Sequence, residues 1–164
     1  MKVRLTVLWL VAVAGLLFVN YSIYGKETLI RNGQPILLEL APVDPRSLIQ
    51  GDYMALRYKM GADLENLETL PVRGKLVITV ADTGVATFVR VDDGTPLAAG
   101  ERLINYYKHG WQVDLGATSF FFQEGTADLY SDAEYGELRV DSAGNSILIG
   151  LRDEQLQPLG SELR

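Results

Sequence analysis

The sequence predicts a mainly β protein, a small antiparallel barrel-like or sandwich-like domain on an N-terminal transmembrane helix. Three observations support this fold class. A long apolar run follows a basic start within residues 1–24. Around eight short segments rich in β-branched or aromatic residues come next, separated by Gly, Asn, Asp and Pro turn signals. No repeat, low-complexity tract or long linker divides the rest of the 164-residue chain, so one domain over residues 34–164 is expected.

Residues 5–24 are predicted to form a membrane anchor. The segment from Leu5 to Val19 has no charged residue, and Thr6 is its one polar residue. A helix over residues 5–24, rising 1.5 Å per residue, covers about 30 Å, the thickness of a bilayer's hydrocarbon core. The sequence therefore predicts contact with the lipid bilayer through this segment.

The charges around the anchor predict its orientation. Lys2 and Arg4 precede the apolar run, which favours residues 1–4 on the cytoplasmic side and the remainder translocated. A cleaved signal peptide is the alternative, because the apolar core is short. The segment after this core, "FVNYSIYGKE", contains no small-residue cleavage pattern, so an uncleaved anchor is preferred.

Residues 25–33 are predicted to continue the helix out of the membrane. Asn32-Gly33 is a typical helix end, and Pro35 beyond it blocks further helix. A hairpin about Asn-Gly is the alternative. The helix is preferred, because Pro35 fits poorly among the first paired positions of a returning central strand.

Beyond the helix, short strands and turns alternate. Asp82-Thr83-Gly84 and the "SAGN" segment at 142–145 have turn chemistry. The acidic segment 124–137 has helical composition and is expected to contain one short helix. The predicted strands are 35–42, 51–58, 74–82, 84–94, 101–108, 111–115, 118–122, 136–141 and 146–153.

Charge and composition exclude several classes of function. The formal charge is −6, and because residues 1–20 carry Lys2 and Arg4 and no acid, the rest carries −8. Nucleic acid is therefore not an expected partner. The chain has no cysteine and one histidine, His109, which the "KHG" context places at a turn. Asp92-Asp93-Gly94 is predicted as a hairpin turn and not as a calcium loop. No metal or cofactor is expected.

The stretch "APVDPRSLIQGDYMALRY", residues 41–58, is the densest candidate site. As a site, the Asp44 and Asp52 carboxylates could serve acid–base chemistry or bind a cation. As a structural corner, Asp44 caps the turn at Pro45 and Arg46 pairs with Asp52. The structural alternative is preferred.

The same stretch predicts a core strand. In an extended strand Asp52, Met54, Leu56 and Tyr58 share an inward face, and Tyr53, Ala55 and Arg57 share the outward face. Gly51 and Asp52 start the strand, with Gly51 in a conformation that other residues avoid.

Two aromatic runs, "INYYKHGWQ" and "SFFFQ", are predicted to contribute to a partner surface. Alternate residues of a strand face opposite sides, so some of these rings are expected to be exposed unless a partner covers them. The predicted surface residues are Tyr106, Tyr107, Trp111, Phe120, Phe121 and Phe122.

The string "GDYMALRY" resembles the signature of the GDYXXLXY family of bacterial membrane-anchored proteins. The matching positions are Gly51, Asp52, Tyr53, Leu56 and Tyr58, and "PVDPRSLIQ" with Asp44, Pro45 and Arg46 is similar to the family's lead-in. The resemblance implies a bacterial inner-membrane anchor and a periplasmic domain, with an integral membrane protein as partner. The family has no established activity, so the resemblance implies no catalytic residues.

A faint similarity to membrane-anchored signal peptidases suggests a hydrolase as a further alternative. That chemistry needs a hydroxyl nucleophile and an amine base, and the corresponding positions here hold Val43 and Val89. Ser47 with Lys59 or Lys75 is the remaining combination, supported only by proximity in sequence.

The sequence thus predicts a non-enzymatic accessory or interaction domain outside the membrane. An extracytoplasmic sensor or ligand-binding module, with a cleft beside Asp52, Arg46 and the aromatic strands, is the first alternative, and the unfamiliar hydrolase is the second. The identity of a small-molecule ligand, the oligomeric state and the cellular process do not follow from the sequence.

Overall fold

The computed structural model describes residues 2–41, 49–50, 53–64, 70–110 and 112–160 of the chain. One long helix, α1 (Lys2–Asn32), leads into a domain of short strands. The strands form two curled four-stranded antiparallel sheets and one three-stranded sheet. The predicted mainly β, antiparallel class behind an N-terminal apolar helix is confirmed.

Helix α1 ends at Asn32, as the Asn-Gly signal predicts, and not in a hairpin. The Gly33 N–H donates to the Leu29 carbonyl at 2.8 Å, and the Arg139 guanidinium donates to the Gly33 carbonyl at 3.3 Å. A Cβ on Gly33 would overlap the Leu29 carbonyl and lie 2.9 Å from the Cβ of Arg139. Glycine is therefore required where the helix meets the sheet.

Within the described part of the chain, α1 is the one helix long and apolar enough to cross a membrane. The qualifying segment runs over Thr6–Asn32; its most apolar 18-residue window has a mean hydropathy of 2.0, and no part of that window is buried inside the protein. Length and composition alone support this statement. The helix is compatible with a bilayer segment.

The first four-stranded sheet has the order β1-β9-β10-β11, and the second has the order β5-β4-β6-β7. Two short strands, β2 and β3, pair with β8 in the three-stranded sheet. The strand bounds are β1 Gln34–Glu39, β2 Ile49–Gln50, β3 Tyr53–Ala55, β4 Arg73–Val80, β5 Ala86–Val91, β6 Glu101–His109, β7 Gln112–Asp114, β8 Ser119–Phe121, β9 Tyr135–Val140, β10 Ser146–Arg152 and β11 Pro158–Leu159.

Strand β1 tolerates Pro35 because it lies at a sheet edge. Leu40 N–H donates to Glu134 O just beyond the β1–β9 ladder, so even-numbered residues of β1 face β9. Pro35 is paired opposite Arg139 at a position whose N–H would point away from β9. Proline has no N–H, but at this position the N–H would not bond to β9, so the β1–β9 ladder loses no hydrogen bond.

Three sequence expectations need correction. The helix expected within 124–137 is only a 3₁₀ turn, Ala127–Tyr130, because the segment from Tyr135 onward pairs as β9 between β1 and β10. Of the strand expected over 51–58, the described residues 53–58 form regular strand only in β3, Tyr53–Ala55. The chain then forms a short helix, α2 (Lys59–Leu64), which the sequence does not predict, and strands β2 and β11 are not predicted either.

Helix α2 packs closely against β7. A Cβ on Gly61 would overlap the carbonyl oxygen of Val113, so the helix backbone lies directly on that strand. Lys59 at the start of α2 donates to the Glu39 carboxylate at 2.8 Å. These contacts set the position of α2 beside β1.

The core consists of two clusters that share Leu40 and Leu148 at their boundary. The smaller cluster is formed by Met54, Leu56, Tyr130 and Leu151. The larger cluster lies between the two four-stranded sheets and includes nearly solvent-free side chains from both. Its most deeply buried members are Ile36, Leu38, Leu76, Ile78, Ile104, Leu115 and Leu138.

Candidate functional site

The structure describes only part of the predicted site in residues 41–58. Asp44, Pro45, Arg46, Gly51 and Asp52 lie outside the described residues. The acid–arginine arrangement therefore stays a prediction, as does the hydrolase alternative that depends on Ser47, also outside the described residues. Tyr53, Leu56, Arg57 and Tyr58 are described, and their positions follow.

The predicted alternation of faces is confirmed from Tyr53 to Tyr58. Met54, Leu56 and Tyr58 are buried, and Tyr53, Ala55 and Arg57 are exposed. Pairing with β2 and β8 fixes this register over β3, and an isolated bridge joins Tyr58 to Leu40. The second half of the signature string is therefore a core segment.

Leu56 and Tyr58 connect the two core clusters. Leu56 belongs to the smaller cluster and Tyr58 to the larger one, although only one residue separates them. The Tyr58 hydroxyl donates to the Ala117 carbonyl at 2.9 Å. Burial raises the pKa of this hydroxyl far above its ordinary value, because the low-dielectric interior disfavours the phenolate.

Two aromatic rings on the outward face form an exposed pair. Tyr53 on β3 is paired in register with Phe121 on β8, and their ring centroids are 5.7 Å apart. Phe121 is 73% exposed and Tyr53 is 37% exposed. We call these two residues the aromatic pair.

The other predicted surface aromatics do not join this pair. Phe120 and Phe122 pack on the ring of Tyr130, with centroids 5.0 and 5.4 Å away. Tyr107 is exposed on β6, where the Arg73 guanidinium lies 5.1 Å from its ring centroid. Trp111 lies outside the described residues.

Tyr106 is buried, so the prediction that it contributes to an exposed partner surface is wrong. Its hydroxyl is enclosed and has no hydrogen-bond partner among the described residues. Burial raises the pKa of this hydroxyl above its ordinary value. The ring covers Gly74, where a Cβ would lie 2.6 Å from the Tyr106 hydroxyl.

The acidic segment at Asp92 is a turn, as predicted, but not a hairpin. Asp93 accepts hydrogen bonds from the Thr95 hydroxyl and N–H, at 2.6 and 3.1 Å, and pairs with Arg90 at 2.9 Å. The Thr95 hydroxyl bond is the main reason why the pKa of Asp93 lies below its ordinary value. Strands β5 and β6 lie on opposite sides of β4, so the turn does not join paired strands.

A groove of about 510 Å³ lies between α2 and the edge strand β5. Met60, Asp63 and Leu64 line the helix side, residues 85–88 line the strand side, and Glu39 lies between them. The sequence does not predict this groove. Its walls come from segments that are adjacent only after folding, so no local pattern indicates it.

The structure defines a class of protein: a mainly β domain of curled antiparallel sheets that follows an apolar helix capable of spanning a membrane. The chain belongs to the GDYXXLXY protein family, whose model matches residues 15–151. The match covers most of α1 and the strands through most of β10. No curated protein and no solved structure matches the chain.

Proposed function

We propose that this protein is a non-catalytic accessory domain, anchored in the bacterial inner membrane and displayed in the periplasm, which binds an integral membrane protein. The observation that carries the proposal is the aromatic pair on a domain joined directly to its anchor. Tyr53 and Phe121 contact each other and are both exposed. Aromatic residues are enriched in protein interfaces and frequently dominate their binding energy.

The short connection between helix and domain supports a partner in the membrane. From residue 24, the end of the predicted span, α1 continues to Asn32, which is about 12 Å at 1.5 Å per residue. Gly33 alone separates the helix from β1, and the Arg139 guanidinium holds the Gly33 carbonyl. The domain is thereby kept near the bilayer surface, within reach of the loops of an integral membrane protein.

The partners of the candidate reactive groups support a non-catalytic role. The Lys59 ammonium pairs with Glu39 at 2.8 Å, and the Tyr58 hydroxyl bonds to a backbone carbonyl. His109 is exposed at the end of β6 beside the Tyr107 ring. Each of these three groups has a structural partner, so its position is explained without a catalytic role.

We expect the double variant Tyr53→Ser, Phe121→Ser to dissociate the native complex. Loss of two interface aromatics removes apolar contact area that no other residue replaces. Blue-native electrophoresis of gently solubilised membranes, at native expression level, should show wild type in a larger complex and the variant as a free monomer. Val72→Ser is the control, since Val72 is 62% exposed on the segment before β4.

A wild-type band at the monomer position would overturn the accessory role. An unchanged complex in the double variant would show that the aromatic pair is not the contact. Thermal unfolding of both variants verifies that neither substitution disrupts the domain.

We expect the C-terminus to be periplasmic. Lys2 and Arg4 precede the span and favour a cytoplasmic N-terminus. Alkaline phosphatase fused after Arg164 should be active, and a cytoplasmic fluorescent reporter at the same position should be dark. The reverse pattern would refute the periplasmic assignment independently of the partner.

A further inference from the structure

We propose that the groove between α2 and β5 is a binding site for a small organic amine, a molecule with an apolar body and one primary ammonium group. The site is distinct from the aromatic pair, and the inference does not depend on the accessory function. Three observations support it: the size of the groove, its apolar floor, and two carboxylates at its rim that share a single ammonium.

The groove has the size and the lining of a small-molecule site. Its volume is about 510 Å³, within the range of about 300–1,000 Å³ that is typical of ligand pockets in proteins. Such pockets are mostly apolar and contain a few polar groups that orient the ligand. Apolar side chains line both sides of this groove, and they are Met60, Leu64, Val85, Ala86 and Phe88.

The apolar floor is held in place by the core beneath it. Leu64 and Ala86 are buried members of the larger core cluster, and Met60 and Phe88 are partly buried and pack against that cluster. Side chains that are already packed lose little conformational freedom when a ligand covers them. Most of the free energy gained by burying apolar surface in the groove is therefore available for binding.

Strand β1 pairs with β5 beside the groove. The Leu37 N–H donates to the Gly84 carbonyl at 2.9 Å, in a parallel bridge between Leu37 and Val85. Because the backbone of β5 already has a partner at this point, the groove offers no free strand edge there for addition of an extended peptide. Its walls offer apolar side chains instead, which suit a compact ligand.

The rim of the groove has an unequal number of charges. Its charged side chains among the described residues are Glu39, Lys59 and Asp63, two carboxylates and one ammonium, so the net charge is −1. The Lys59 ammonium donates to the Glu39 carboxylate at 2.8 Å. This hydrogen bond, with a smaller contribution from the Asp63 charge, raises the pKa of Lys59 above its ordinary value. Both carboxylates therefore act on the same ammonium.

The unbalanced carboxylate determines the class of ligand. Asp63 is exposed at the rim, so a ligand ammonium beside it gains an ion pair without the cost of burying a charge. The Thr87 side chain also lines the groove, and its hydroxyl can accept from one of the three N–H groups of a primary ammonium. A ligand carboxylate would meet a rim of like charge.

The test uses the methionine methyl groups of the full chain as reporters. Met60 lines the groove, and Met54 is buried in the smaller core cluster. The chain is labelled with ¹³C-methyl methionine, placed in dodecyl maltoside micelles and titrated with 3-phenylpropylammonium. The Met60 methyl resonance should shift and saturate, with a dissociation constant on the order of 1 mM, and the Met54 resonance should not move. The anion 3-phenylpropionate, which has the same ring, should leave Met60 unshifted.

Two charge variants test the role of the rim. Asp63→Asn should weaken binding of 3-phenylpropylammonium about threefold, the scale of an exposed ion pair. Glu124→Gln makes the same charge change on an exposed residue outside the groove and should leave the affinity unchanged. An unshifted Met60 resonance, an equal response to 3-phenylpropionate, or equal weakening by both variants would overturn the proposal.

A second pair of variants tests the location of the site. Thr87→Trp places a large ring in the groove and should abolish the shift of Met60. Val89→Trp is the control, because Val89 is 42% exposed on the same strand and does not line the groove. Thermal unfolding verifies that both variants fold. Retained binding in a folded Thr87→Trp variant would contradict the assigned site, and if that variant does not fold, the charge variants decide the question.

Discussion

Replacing Leu56 by Ala is expected to lower the free energy of unfolding by about 2–5 kcal/mol. Leu56 is 4% exposed and packs with Met54, Tyr130 and Leu151 in the smaller core cluster. The substitution removes buried apolar atoms and leaves a cavity. The surrounding segments relax only partly, so the cavity does not close. Urea unfolding of the full chain in micelles, followed by near-ultraviolet circular dichroism, measures the loss.

Leu129→Ala is the matched control for this prediction. Leu129 is 55% exposed in the 3₁₀ turn, and exposed substitutions of this kind change stability by about 0.5 kcal/mol or less. If Leu56→Ala left stability unchanged but dissociated the native complex, the signature string would be a binding site and not a core segment. Equal effects of the two substitutions would also contradict the assigned burial.

Replacing Tyr58 by Phe is expected to change stability in opposite directions at neutral and alkaline pH. At pH 7 the variant loses the hydroxyl bond to the Ala117 carbonyl, which costs about 1 kcal/mol. Burial raises the pKa of Tyr58 in the folded state. Above the ordinary value of about 10, the unfolded chain ionises this group while the folded protein does not.

The sign of the pH effect follows from proton linkage. Above about pH 10 the unfolded state binds fewer protons at this residue than the folded state, so wild-type stability falls by up to about 1.4 kcal/mol per pH unit. Tyr58→Phe removes this loss, and its stability curve should cross the wild-type curve between about pH 10 and 12. Parallel curves over that range would refute the burial argument.

Urea unfolding at half-unit steps of pH gives both curves. Tyr107→Phe is the control, because it makes the same chemical change on an exposed ring and should not alter stability at pH 7. Tyr106 is a second buried tyrosine, with no partner for its hydroxyl among the described residues. Tyr106 is present in both wild type and Tyr58→Phe, so its contribution to the pH dependence of stability cancels when the two curves are compared.

Several features of the fold follow from local patterns alone. Gly33 and Pro35 end α1 because glycine accommodates the close approach of the chain and proline cannot continue a helix. The alternation of Met54, Leu56 and Tyr58 with exposed neighbours follows from the two-residue period of an extended chain. The prediction of a turn at Asp82-Thr83-Gly84 is also confirmed. Gly84 has a φ of +88°, a conformation that glycine adopts without strain.

Other features could not be predicted because they depend on pairing between distant segments. The acidic segment 124–137 has helical composition, yet its last residues become strand because β9 lies between β1 and β10. Helix α2 is too short for a periodic signal, and its contact with Val113 stabilises it. Tyr106 is buried and Tyr107 exposed because of the register of β6 beside β4.

The sequence by itself determined the apolar N-terminal helix, the mainly β class, the family and the inward face of the signature string. Each of these depends on composition or on a period of a few residues, which the local geometry of the backbone imposes. The tertiary structure alone decided which aromatic rings are exposed, and it alone produced the groove between α2 and β5. These depend on which strand edges meet, a choice set by long-range pairing and burial and not by any short stretch of chain.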